Sequence, residues 1–188
     1  MKFKKSTFWV IAALYFLYIG SDLQAQELKT PTPGKSLVYF VRVSGTGALM
    51  INFKYFHGDH YIGKFSGVNY FLYECDPGPQ MFWVSAENRD FLEANLLPDK
   101  VYVVEVRPTL GAFKAAVKLI PILNTDVKDV QRITKILTKK VPIQLDPNDF
   151  SDEKEDLKFF ISNGLKKYNA DKAAGKSIAQ LLPENFHN

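Results

Sequence analysis

Between residues 36 and 122 the sequence is a series of short, mostly apolar segments, each ended by turn-forming residues. In residues 49–56 apolar and polar side chains alternate, which is typical of a strand with one buried face. Residues 76–79 read Asp-Pro-Gly-Pro, a turn in which proline restricts φ and glycine accepts a positive φ. Eight such segments with no helical period between them predict a mainly β fold, an antiparallel β-sandwich or barrel.

Aromatic residues support this fold class. They make up 14% of the chain and cluster in the predicted strands. Large flat side chains pack well on the pleated surface of a sheet. We therefore expect about eight strands arranged as an immunoglobulin-like or transthyretin-like sandwich over residues 36–122.

The remaining residues, 123–188, are predicted to form a helical C-terminal extension. The apolar period changes there from two to about 3.6, and a polar residue at 124, 125 or 126 can cap a first helix. A second helix is expected over residues 151–169, and residues 177–182 are predicted to add one last turn. Since each helix has an apolar stripe, both should dock against the β domain or against each other.

The first 25 residues predict a cleavable secretory signal peptide. Three lysines precede an uncharged apolar run at residues 8–20, and Ala25 offers the small residue that signal peptidase requires. This run is shorter than the ~20 residues of a membrane-spanning helix, which disfavours the alternative of a retained anchor. We expect cleavage close to Ala25, a linker at residues 26–35, and a periplasmic or secreted product.

Cleavage also changes the net charge. Residues 1–25 carry three lysines and one aspartate, so their removal lowers the formal net charge from +4 to +2. Nucleic-acid-binding domains normally present a concentrated basic face. The charge balance therefore argues against nucleic acid as a partner.

Cys75 is the only cysteine of the chain, so no internal disulfide can form and packing must hold the fold. The acidic neighbours Glu74 and Asp76 disfavour a thiolate at this position. We interpret Cys75 as a buried structural thiol, with pairing between chains as the alternative.

Six turn and core segments follow one another along the chain in an order that resembles a known family. The segments lie at residues 35–42, 61–64, 70–78, 82–88, 97–102 and 111–119. They are similar to a family of exported bacterial domains of unknown function, and the resemblance covers residues 35–119. Domains of that kind look like small β-sandwich modules in which a Pro-Gly hairpin precedes an aromatic strand. The resemblance implies the fold and implies no activity, since no catalytic residue is attributed to the family.

The densest group of potential metal ligands is His57-Gly58-Asp59-His60. Imidazoles and a carboxylate from His57, Asp59 and His60 could bind zinc or another divalent ion at a hairpin tip. A further ligand would have to come from elsewhere, and the remaining histidine, His187, lies at the C-terminus. Because glycine and aspartate are usual hairpin residues, a solvated turn is the simpler interpretation, and we predict no cofactor.

Basic residues follow one side of the first predicted helix. Lys128, Arg132, Lys135 and Lys139 are separated by four, three and four positions. Such a row could lie on anionic lipid or on an acidic partner, as a peripheral membrane contact or a protein interface. Long basic side chains ordinarily occupy exposed helix positions, so a solvated face explains the row equally simply.

Aromatic residues outnumber what one inner sheet face needs. Tyr70, Tyr73 and Trp83 are the candidates for an exposed platform that binds a sugar or a peptide. The alternative is that the C-terminal helices cover the second face of the sheet.

The sequence contains no recognisable catalytic arrangement. No serine occupies a strand-turn-helix elbow, and the carboxylates are scattered; Glu105 interrupts an apolar strand and is expected to pair with Arg107 or Arg42. We therefore predict a non-enzymatic binding module of the bacterial envelope whose partner is a protein, a peptide or a glycan. The alternatives are a hydrolase with an unrecognised site and an assembly protein whose basic helix contacts anionic membrane.

Overall fold

The computed structural model of the chain describes residues 28–43, 51–110, 115–152 and 154–187. The predicted signal peptide and its cleavage site lie outside the described residues, as do the first residues of the strand predicted at 49–56 and of the similar segment at 111–119. Among the described residues, no helix is long and apolar enough to cross a membrane.

Nine strands and two helices form the described part of the chain. The strands are β1 (Ser36–Arg42), β2 (Phe53–His57), β3 (His60–Phe65), β4 (Asn69–Cys75), β5 (Gly78–Ser85), β6 (Arg89–Leu96), β7 (Val101–Leu110), β8 (Ala115–Pro121) and β9 (Ala179–Leu181). The helices are α1 (Val127–Leu137) and α2 (Leu157–Ala173). The predicted mainly β sandwich with C-terminal helices is confirmed.

The strands form two sheets, one with the order β4-β1-β7-β8 and one with the order β3-β2-β5-β6-β9. Most neighbours are antiparallel, but β1 pairs with β7 and β6 pairs with β9 in parallel. Both parallel pairs join strands that are distant in sequence, which the spacing of turns cannot reveal. Both sheets are therefore mixed.

The C-terminal segment belongs to the sandwich. Residues 179–181 form a strand where the sequence predicted a last helical turn, because Leu181 is buried between the sheets while its backbone pairs with β6. Farther along, Phe186 forms a bridge with Tyr102, and the hydroxyl of Tyr102 donates to the carbonyl of Pro183 at 3.0 Å. The extension is thus helical only in part.

Each helix covers the outer face of one sheet. Ile133 and Leu137 of α1 pack on the outward side chains of β1 and β7, and Phe160 and Gly164 of α2 pack on those of β2 and β5. The layers are therefore helix, sheet, sheet and helix, with an aromatic-rich core between the sheets. This arrangement gives the many aromatic side chains three buried clusters to fill.

Aspartates define where both helices begin. The side chain of Asp126 accepts from the N–H of Asp129, and that of Asp156 accepts from the N–H of Phe159. The second helix therefore starts six residues later than residue 151, where the sequence placed it. An aspartate at the N-cap satisfies a backbone donor that the first helical turn leaves free.

Side chains of β6 and of the preceding turn cover the edge of β8. The amide of Asn88 donates to the carbonyl of Val117 at 2.9 Å and accepts from the N–H of the same residue at 2.7 Å. Asp90 accepts from the N–H of Leu119 at 2.7 Å. These side chains take the place of a further strand, so this edge is blocked against pairing with another chain.

The linker between the helices covers the opposite side. The N–H of Ile143 donates to the carbonyl of Tyr70 at the edge of β4, at 2.9 Å. Leu145 then passes over Gly63 of β3, where a Cβ would lie 2.6 Å from the Cβ of Leu145. Glycine is required here by this close approach and by its φ of +142°.

Candidate functional site

A groove opens on the second sheet beside the last turns of α2. Its volume is about 480 Å³, and we call it the Glu93 groove. It is lined by Pro79, Gln80, Met81, Glu93, Ala94, Asn95, Tyr168, Lys172, Gln180, Leu181 and Leu182. The lining comes from β5, β6, α2 and the segment around β9, so three separate parts of the sequence meet there.

The centre of the groove is the carboxylate of Glu93, which three side chains hold. Lys172 and Tyr168 both donate to Oε1, the lysine at 2.5 Å, and Gln180 donates to Oε2 at 2.8 Å. The hydrogen bonds from Lys172, Tyr168 and Gln180 favour the charged form and lower the pKa of Glu93 to about 2. Glu93 is therefore a fixed negative charge at neutral pH.

Among the polar side chains described as lining the groove, that of Asn95 remains available to a ligand. Asn95 is exposed, and its amide makes no hydrogen bond with any residue in the described ranges. The side-chain N–H groups of Gln180 are used on Glu93 and on the carbonyl of Ile178. Met81 and Leu182 add apolar surface, and Leu182 is 44% exposed.

The sequence did not single out Glu93, Asn95 or Gln180. Glu93 and Asn95 do occupy outward positions of the alternating strand β6, where Phe91 is the preceding outward residue. That alternation indicates that the outer face of β6 changes from apolar at Phe91 to polar at Glu93 and Asn95. No sequence pattern indicated that Gln180 contributes to the groove, because residues 177–182 were predicted to be helical.

The predicted metal ligands are not assembled into a metal site. His57 is half-buried at an end of the sandwich, and its Nε2 lies 2.6 Å from Oε1 of Gln80 while its Nδ1 lies 3.1 Å from the hydroxyl of Tyr73. Asp59 is exposed in the β2–β3 turn, and His60 is exposed at the first position of β3. Across the described part of the chain, no group of three or more histidine, cysteine, aspartate or glutamate residues is placed to hold a metal ion.

Both ring nitrogens of His57 lie within hydrogen-bonding distance of a side chain. Because Gln80 donates from Nε2 to the carbonyl of Asp76 at 2.9 Å, its Oε1 faces His57 as an acceptor. Nε2 of His57 therefore donates to Oε1 of Gln80, while Nδ1 lies beside the hydroxyl of Tyr73. His57, Tyr73 and Gln80 therefore form a hydrogen-bonded polar cluster between the sheets and not a set of metal ligands.

The predicted aromatic platform is not formed by Trp83 or Tyr70, because both are buried. The Trp83 indole stacks on Phe56 with ring centroids 3.7 Å apart, donates to the carbonyl of Gly58 at 2.8 Å, and lies beneath α2. Tyr70 lies in the cluster under α1. Tyr73 is half-buried beside His57. The alternative expectation, that helices cover the second face of the sheet, describes Trp83 and Tyr70, whereas Tyr73 packs against the core between the sheets.

The predicted basic row on α1 is divided. Arg132 turns toward the sheet, where it contacts the carboxylates of Glu105 and Asp129, each at 2.5 Å. Lys128, Lys135 and Lys139 remain exposed to solvent. The row is therefore one structural arginine among free lysines.

Glu105 is the buried centre of that contact. Its side chain has 0% exposure, and Arg107 and Arg132 approach its two oxygens at 2.5 Å each. The expected pairing with Arg107 is present, and Arg132 supplies a second partner that the sequence did not indicate. Arg42 lies instead between the sheets, where it donates to the carbonyls of Ile51 and Phe65 at 2.8 Å.

Cys75 is a free, buried thiol. Burial, reinforced by the charge of Asp76, raises its pKa to about 11. A thiol with so high a pKa is almost wholly protonated at neutral pH and is a poor nucleophile.

Comparisons of the chain with protein-family models, with curated proteins and with solved structures find no match. The resemblance of residues 35–119 to a family of exported domains stays a prediction.

Proposed function

We propose that this protein is an exported, non-enzymatic interaction module of the bacterial envelope, and that the Glu93 groove binds a segment of a polypeptide partner. The observation that carries the proposal is the exposed, partly apolar groove beside α2. Asn95 offers both an amide donor and an acceptor there, as an extended peptide requires. Met81 and Leu182 provide apolar contacts for a side chain of the partner.

The lining favours a polypeptide over a glycan. Sugar sites commonly use an aromatic ring that is free to stack, and Tyr168 is the aromatic residue among those described as lining the groove. Its ring already contacts Phe91, with centroids 5.4 Å apart, and the ammonium of Lys172 lies 5.3 Å from its centroid. Tyr168 is thus committed to the fold.

The protonation states favour binding over hydrolysis. General acid–base catalysis needs a group whose pKa lies near the working pH. In the groove the pKa of Glu93 is lowered, the pKa of Lys172 is raised by its hydrogen bond to Glu93, and the pKa of Tyr168 is raised by burial and by its hydrogen bond to Glu93. All three pKa values move away from neutrality, which supports a recognition surface.

Site-specific photo-crosslinking in intact cells tests this proposal. A photoreactive residue replaces Asn95 in the groove or Lys158 on the exposed side of α2. We expect a cross-linked polypeptide from position 95 that is missing from position 158. The purified partner should then bind the Asn95→Arg variant at least tenfold more weakly than the wild-type protein.

Three results would contradict the proposal. They are the same product from both positions, no product from position 95, and unchanged affinity of the purified partner for Asn95→Arg. The N-terminal sequence pattern supports the export part of the proposal, and mass spectrometry of the protein isolated from cells should find its N-terminus near residue 26.

A further inference from the structure

The solvent-facing side of α1 concentrates lysines that have no acidic partner. Lys128 and Lys135 lie on the helix, and Lys139 and Lys140 follow its last turn; all four are exposed. None of them forms an ion pair with another residue of the described ranges. Elsewhere in the described chain several lysines are neutralised, for example Lys54 by Asp152 and Lys172 by Glu93.

The acidic groups close to α1 are already occupied. The side chain of Asp126 caps the helix by accepting from the N–H of Asp129 at 3.2 Å. The carboxylate of Asp129 is held by Arg132, which also holds the buried Glu105. Because the arginine contacts take up the charges of Glu105 and Asp129, and Asp126 is the one acidic residue left at the start of the helix, the lysines face solvent as a surface with excess positive charge.

Apolar side chains flank this positive surface at both ends. Val127, the first residue of α1, is 63% exposed, and Val141, which follows Lys140, is 81% exposed. The helix, Val127 included, has 11 residues and is therefore about 16 Å long. Its outer side is a convex row of lysines with an exposed valine at each end.

We propose that this surface, formed by Val127, Lys128, Lys135, Lys139, Lys140 and Val141 and called the α1 basic face, binds the surface of an anionic lipid bilayer. Lysines attract the negative headgroups, and the valines can enter the boundary between headgroups and acyl chains. A convex helix with charges spread along its length fits a flat surface and offers no recess for the side chains of an acidic protein. The proposal is independent of the Glu93 groove, which lies on the other sheet.

Vesicle co-sedimentation tests the α1 basic face. The probes are vesicles of phosphatidylcholine alone and vesicles of phosphatidylcholine with phosphatidylglycerol. The protein is purified from the cells that express it, and its N-terminus is identified before use. We expect the protein to bind the anionic vesicles. The affinity should fall steeply between about 0.05 and 0.5 M salt, because salt screens exposed charges. Each lysine near the surface should contribute about fivefold.

The variants separate a specific face from net charge. Lys128→Gln/Lys135→Gln should weaken binding about 20-fold, whereas Lys158→Gln/Lys166→Gln, which removes the same charge from exposed positions of α2, should change it less than about threefold. Val141→Ser should reduce the binding that remains at high salt. Circular dichroism confirms that each variant is folded.

The proposal is overturned if anionic vesicles do not bind at low salt, if neutral vesicles bind equally well, or if the two double variants lose equal affinity. A polyglutamate that displaces the protein from vesicles at equal charge concentration, and whose own binding depends on Lys128 and Lys135, would identify an acidic protein as the occupant instead.

Discussion

A Cβ atom at Gly164 would lie 2.5 Å from Cη2 of the Trp83 indole. This glycine therefore lets α2 approach the second sheet closely. The indole is fully buried, and a rigid ring between Phe56 and the helix has no free direction in which to move. The contact fixes how α2 lies over β5.

Gly164→Ala should destabilise the protein by about 1–2 kcal/mol, because overpacking against a rigid ring costs about 1–3 kcal/mol while alanine recovers up to about 1 kcal/mol of helix propensity. Urea unfolding measures the change. Asn169→Ala, at an exposed position of the same helix, is the control and should leave stability unchanged or slightly higher. Higher stability in Gly164→Ala would refute the close packing.

Arg132 and Lys135 lie on the same helix and differ in their partners. Arg132→Gln leaves the buried carboxylate of Glu105 with Arg107 alone, so it should cost about 1–2 kcal/mol, reduced from the value for a fully buried pair because Arg132 is partly exposed. Lys135→Gln removes the same charge without a partner and should change the unfolding free energy by less than about 0.5 kcal/mol. Equal effects of the two substitutions, measured in urea, would mean that the Glu105 contact does not stabilise α1.

His187 should make stability fall at mildly acidic pH. Its Nε2 lies 2.6 Å from the carbonyl oxygen of Ile122, and burial lowers its pKa below the usual 6.5. The unfolded chain then binds the proton more readily than the folded one, so the contribution of His187 is complete above pH 6.5 and is lost as the pH falls below that value.

We therefore expect the unfolding free energy of the wild-type protein to decline from about pH 7 toward pH 5, because in this range the unfolded chain takes up a proton that the folded chain does not. In His187→Gln this decline should be shallower, since glutamine keeps a donor and does not titrate. His60→Gln, at the exposed first position of β3, should keep the wild-type slope. A wild-type slope in His187→Gln would remove His187 as the source.

Cys75 should react slowly with thiol reagents in the native protein. With a pKa near 11 and a buried side chain, it should label roughly 100-fold more slowly than in urea-unfolded protein. Ser177→Cys in a Cys75→Ser background places a thiol at an exposed position and should label at the rate of the unfolded chain. Fast native labelling of Cys75, followed by absorbance of the released chromophore, would contradict the burial.

Local patterns account for much of the fold. The turn at residues 76–79 was predicted from proline and glycine, and Gly78 does have a φ of +95°. The alternation that includes Phe53 and Tyr55 predicted a strand, and both side chains face the core between the sheets. Such patterns are local because backbone sterics and the two-residue period act within a few residues.

Sequence reasoning failed where distant segments meet. Residues 177–182 have no strand-like period, yet β9 forms because the backbone of β6 offers hydrogen bonds and the core has space for Leu181. Trp83 was a candidate for a binding platform because its sequence neighbours do not reveal that Gly164 lies above it. Glu93 drew no attention because its partners lie 75 to 87 residues away.

The sequence by itself determined a mainly β chain with two helices at its C-terminal end, since strand period, turn chemistry and capping residues are local properties. Tertiary structure alone decided which side chains are free. Arg132 is bound to a carboxylate and Lys135 is exposed, although the two residues looked alike in one basic row. The physical reason is that burial and charge pairing depend on which surface each helix turns toward the sheets, and that choice is made by the packing of the whole fold.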